Sequence, residues 1–189
     1  MLQPKLLNHL LSVLNDNRID YMITDSIVSS LQGEPRATHD VDIVVHLAQA
    51  AVPALLNAFP QPLYYLSEES IKEAIVHKSM FNLIDTQEGD KVDFWILTND
   101  EFDQSRFERK LEEEVFGFKM KISQPEDTIL AKLKWAKLSG GSEKQFTDAL
   151  RVYEVQHGKL DLNYLKSWIA KLKLDDLWKQ LESEARPIE

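Results

Sequence analysis

The stretch Tyr21-Met-Ile-Thr-Asp-Ser-Ile-Val-Ser-Ser-Leu-Gln-Gly-Glu-Pro-Arg-Ala-Thr-His-Asp-Val-Asp-Ile-Val-Val45 closes on two aspartates, Asp40 and Asp42, one residue apart in an apolar run. Successive side chains of a strand point to opposite faces, so residues two apart share one face. A strand here sets Asp40 and Asp42 on one side and Val41 and Ile43 on the other. Strands usually exclude aspartate. Two carboxylates side by side repel unless a cation lies between them or water solvates both, and the sequence leaves both readings open. An all-oxygen setting suits a hard divalent cation such as magnesium.

Upstream, Tyr21 to Thr24 reads as a short strand, and Asp25 or Ser26 can cap a helix running to about Gln32. Gly33-Glu-Pro35 breaks that helix. A helix N-terminus offers free N–H groups to an anion, and Ser26 can add a hydroxyl. The plainer alternative is that Asp25-Ser26 only caps the helix, with the Asp25 charge filling the anion's position. Downstream, Asp93 is a single acid in the apolar strand Lys91-Val-Asp-Phe-Trp-Ile-Leu97. If that strand lies beside the first, three carboxylates converge. Such a set would hold two magnesium ions around a triphosphate, with Asp93 as base for an attacking hydroxyl.

Leucines 6, 7, 10, 11 and 14 recur at helical spacing, which predicts an amphipathic helix over 4–16. Alanine- and leucine-rich residues 48–59 predict another, and 68–77 and 101–110 two more. Residues 80–85 and 91–97 read as strands around the loop Thr86-Gln-Glu-Gly-Asp90, and 111–115 and 118–122 as a second hairpin. From Pro125 on the pattern is helical, broken by Ser139-Gly-Gly-Ser142. The fold class expected is α+β: a mixed-sheet core over residues 1–123, followed by a helical C-terminal region over 124–189.

Of 189 residues, 43% are hydrophobic, enough for a substantial core. Lysine and arginine number 22 against 31 acids, a net charge of -9. That argues against broad electrostatic capture of a nucleic-acid backbone, though not against one locally held end or a nucleotide bound through a metal. With no cysteine, disulfides, thiolate metal sites and cysteine nucleophiles are excluded. No signal peptide or membrane span is read, so the expectation is a cytoplasmic protein without membrane contact.

The run Ile23-Thr-Asp-Ser26, then Gly33-Glu-Pro-Arg-Ala-Thr-His-Asp-Val-Asp42, then Lys91-Val-Asp93, resembles the nucleotidyltransferase (polymerase-beta-like) superfamily. The nearest look is to the small bacterial branch that includes abortive-infection toxins. The helix opening Ser123-Gln-Pro-Glu-Asp-Thr-Ile-Leu-Ala-Lys-Leu133 fits as well, and the resemblance covers about residues 20–175. It implies a nucleotidyltransferase core and transfer of a nucleoside monophosphate from a nucleoside triphosphate to a hydroxyl on an RNA end, a protein or a small molecule. Asp40, Asp42 and Asp93 would be magnesium ligands, with Asp93 also the base. Ser26 would touch the β- or γ-phosphate, beside Asp25 in the nucleotide-binding turn. Lys132 would reach the triphosphate or stand as a solvated helix lysine, and Arg36 and Thr38 would support the site. Asp148 reads as structural, pairing with Lys132 or Lys134. His39 reads as a turn histidine and Trp95 as a packing residue.

One departure stands out: Asp25 occupies the position where the family turn carries glycine, whose bare backbone lets phosphate approach. Unit-charge repulsion at about 4 Å runs from roughly 1 kcal/mol in water to roughly 4 kcal/mol near a protein surface. The competing expectation is therefore an impaired nucleotide-binding module of the same fold, or one half of a toxin–antitoxin pair.

Overall fold

The computed structural model describes residues 4–34, 40–115 and 117–186. Arg36, Thr38 and His39 lie outside the described residues. Cα proximity divides the chain into two compact units, Met1–Ile27 with Ala37–Ile122 and Val28–Arg36 with Ser123–Glu189. The fold is α+β, a seven-stranded mixed sheet with a helical C-terminal region, as the sequence patterns predict.

In the first unit the leucine stripe forms α1 (Pro4–Asp16) and is buried along its length. Full burial of one leucine contributes about 1.5–3 kcal/mol. β1 (Asp20–Thr24) leads directly into α2 (Asp25–Gln32). β2 (Asp40–His46) carries the aspartate pair. The helix expected over 48–59 is split into a 3-10 turn at Gln49–Ala51 and α3 (Val52–Ala58). Pro53 is the reason: it lacks an N–H and fits only the first turn of a new helix. β3 (Tyr64–Tyr65) is too short to show a period in sequence.

The unit continues with α4 (Glu68–His77), β4 (Met80–Asp85), β5 (Lys91–Ile96), α5 (Glu101–Glu108), β6 (Leu111–Val115) and β7 (Phe118–Ile122). Strand order is β3-β4-β5-β2-β1-β7-β6. The β2–β5 and β1–β7 pairs are parallel and the rest antiparallel. One face is apolar over the central strands: Val41, Ile43, Phe81, Leu83, Val92 and Phe94 are buried, with the Phe81 and Phe94 rings stacked at 4.7 Å. On the other face Met22, Val44, Leu97 and Phe107 pack together against Trp95. That second cluster covers the middle of β2 and leaves Asp40 exposed and Asp42 half-buried at the strand's beginning.

The second unit holds α6 (Pro125–Leu138), α7 (Glu143–Gln156), α8 (Leu162–Leu172) and α9 (Asp175–Glu184). Gly33 ends α2 there for a packing reason. A Cβ at this position would meet the Ser29 carbonyl oxygen at 2.9 Å and the Val152 backbone nitrogen at 3.0 Å. Only a residue without a side chain admits so close an approach. Gln32 ties the same end down: its Nε2 donates to the Ser123 carbonyl at 2.6 Å, and its own carbonyl accepts from Gln156 Nε2 at 2.9 Å.

Candidate active site

Strand register builds the site. β5 lies parallel to β2 with Asp93 opposite Asp42 and Lys91 opposite Asp40. β1 lies antiparallel on the other side of β2, with Thr24 opposite Asp42. β4 adds Asn82 opposite Asp93. Paired residues of neighbouring strands share a face. Asn82, Asp93, Asp42 and Thr24 therefore form one row across four strands, with Asp40 two residues along β2 on the same side. The sequence-predicted Asp42 and Asp93 are brought together, and Asp40 joins them at the exposed strand end.

Hydrogen bonds confirm the shared face. Lys91 Nζ donates to Asp93 Oδ2 at 2.8 Å, and Asn82 Nδ2 donates to Asp93 Oδ1. Trp95 Nε1 donates to Asp42 Oδ1 at 3.2 Å. The hydrogen bond to Asp93 raises the Lys91 pKa above the ordinary lysine value; desolvation opposes the rise, and the charges of Asp93, Asp40 and Asp42 add to it. Lys91 is thus a positive charge resting against a carboxylate cluster. Among the described residues, no group of three or more His, Asp or Glu side chains is arranged to hold a metal ion. Asp93 is instead turned to Asn82 and Lys91.

β1 ends beside Asp42, so the turn into α2 lies at the edge of the acid row. Asp25 and Ser26 open that helix, both half-buried. Asp25 has φ 58, the left-handed conformation that glycine adopts without strain. An aspartate thus occupies a backbone conformation that glycine would adopt without strain.

Lys132 belongs to the helical unit. It is 2% exposed, and its Nζ lies 2.8 Å from Asp148 Oδ2. The sequence reading named this pair but not its burial. Lys91, Asn82 and Trp95 were missed as members of the acid row. The available signal was the two-residue period of β5, which puts Lys91, Asp93 and Trp95 on one face.

No family model matches the chain, and no curated protein matches it in sequence. Solved structures do. An antigenic nucleotidyltransferase-like protein from Paracoccidioides brasiliensis aligns with TM-score 0.51 and 19% identity, over 96% of this chain and 93% of that one. The antibiotic-resistance factor ANT(2'')-Ia aligns with TM-score 0.54 and 12% identity, over 95% of this chain and 94% of its own. At these identities the likeness speaks for the fold, and it spans nearly the whole of each chain. The chain has the nucleotidyltransferase fold.

Proposed function

We propose that this chain moves a nucleoside monophosphate from a nucleoside triphosphate to a hydroxyl acceptor. The observation that carries the reading is the register row of Asp93, Asp42 and Thr24, with the opening of α2 at its edge. The three carboxylates are the oxygen donors that a hard cation such as magnesium takes, which requires Asp93 to turn from Asn82 and Lys91. Asp40, Asp42 and Asp93 would hold the metal, two ions in the full set, which supplies charge against the polyphosphate and lowers the pKa of the attacking hydroxyl.

Asp93 takes the acceptor hydroxyl's proton on its carboxylate. The acceptor oxygen bonds to the α-phosphorus, the α–β phosphoanhydride bond breaks, and pyrophosphate leaves. The Ser26 hydroxyl and the first N–H groups of α2 meet phosphate oxygens. Arg36 and Thr38, outside the described residues, are assigned a supporting role by the sequence resemblance alone. Lys132 is left to its pairing with Asp148. An RNA end, a protein and a small molecule are the acceptor classes to compare, and a net charge of -9 weighs against a long polyanion.

The test is incubation with each labelled nucleoside triphosphate and magnesium, offering RNA, protein and small-molecule hydroxyls in turn. Label transfer is expected, with a loss of at least about a hundredfold in Asp93→Asn. Calorimetric binding of the triphosphate with magnesium should disappear in Asp40→Asn/Asp42→Asn. Unchanged transfer and binding in these variants would sink the site assignment.

One observation favours a second reading, a nucleotide-binding module or toxin–antitoxin component without transfer activity: Asp25 fills a left-handed position with a carboxylate. Asp25→Gly discriminates. Transfer that appears only in this variant supports the impaired site, and transfer already present in the wild type supports the enzyme.

A further inference from the structure

Lys91 is the cation of the acid row, and the proposed chemistry gives it no step. It sits two positions before Asp93 on β5 and opposite Asp40 on β2, so it shares the face of all three acids. Its ammonium takes Asp93 Oδ2 at 2.8 Å. The lysine side chain is 37% exposed while the Asp93 side chain is only 13% exposed. The cation therefore lies on the solvent side of the pair and can swing away without disturbing the sheet. Long lysine stems move readily between a partner and water.

We propose that Lys91 is the chain's own counter-ion for the acid row and competes with a divalent cation for Asp93. The inference rests on the reading of Asp40, Asp42 and Asp93 as metal ligands. Adjacent carboxylates on neighbouring strands repel, and a cation among them removes that repulsion. An ammonium and a divalent ion drawn to one carboxylate repel each other, even though its lone pairs could serve both. Metal loading therefore loosens the Lys91 contact with Asp93, and the interaction lost weakens metal affinity by the same factor. Lys91 acts here through Asp93 and is a positioning residue.

The experiment titrates manganese, without nucleotide, into the full chain and follows binding by calorimetry and manganese paramagnetic resonance. Lys91→Met and Lys91→Gln are expected to bind at least about tenfold more tightly than the wild type. Lys91→Gln retains a hydrogen-bond donor, so it separates loss of charge from loss of contact and serves should Lys91→Met fail to fold. Lys91→Arg keeps the charge and should keep the weaker affinity. A second readout is thermal melting: manganese should raise the midpoint of Lys91→Gln more than that of the wild type. Equal affinity in wild type and Lys91→Gln overturns the competition while leaving the metal ligands standing. Manganese binding by neither protein overturns the ligand assignment and this inference together.

Discussion

Asp25 holds a non-glycine residue at φ 58, where its Cβ crowds the following carbonyl. Aspartate tolerates this better than most residues because its short side chain can bond locally, and its charge suits the first turn of α2. Asp25→Gly loses that charge but relieves the crowding, so its stability should equal or exceed the wild type's. Asp25→Ala loses the charge and keeps the crowding, and should be about 1 kcal/mol less stable than Asp25→Gly. Urea unfolding checks the pair; equal midpoints would mean that the turn is not left-handed in solution. At this scale the sequence showed the acids well, because aspartate at period two in an apolar strand is conspicuous. It did not show Lys91 or Asn82 as their partners, because those contacts exist only through cross-strand register.

Between elements, register also decides what Asp20 does. It begins β1, and Lys121 of β7 and Lys110, just after α5, reach it at 2.7 and 2.9 Å. Desolvation raises the Asp20 pKa, but the two lysine hydrogen bonds and charges together outweigh it, and the value is held below the ordinary aspartate one. A lowered carboxylate pKa gives stability that is fully present above the unfolded-state value, about 4, and is lost as pH falls through the folded-state value. Asp20→Asn should therefore be less stable than the wild type at neutral pH, and the difference should shrink as pH falls below about 4. Urea midpoints measured from pH 7 down to about 2 test this, and a constant offset across that range would contradict it. The strands themselves were legible as apolar runs, and the long helices from their leucine spacing. The break before α3 turned on a single residue, Pro53, and β3 was too short to carry any pattern.

For the molecule as a whole, the helical unit departs furthest from a simple apolar core. On α6, Glu126, Asp127, Thr128 and Lys132 are buried beside Ile129, Leu130, Leu133 and Ala136. Each acid is answered: Glu126 Oε1 accepts from the Asp161 backbone N–H at 2.8 Å, and Asp127 Oδ1 accepts from the Tyr164 hydroxyl at 2.6 Å. In sequence a lysine on a helix reads as solvated or as reaching for a ligand. Its burial follows from α7 and α8 packing around α6, which no single-helix pattern encodes. Lys132 and Asp148 join α6 to α7 inside this unit. Removing one member of a buried pair leaves the other charge in a low-dielectric site and typically costs about 3–5 kcal/mol, while replacing both with apolar groups is often neutral. Lys132→Met should therefore destabilise strongly, and Lys132→Met/Asp148→Leu should recover most of the loss. Denaturant unfolding followed by tryptophan fluorescence in a Trp95→Phe background reads this unit, because Trp168 and Trp178 are buried within it and Trp95 lies on β5. A double variant as unstable as Lys132→Met would instead mean that packing of the lysine stem, rather than its charge, holds α6 against α7.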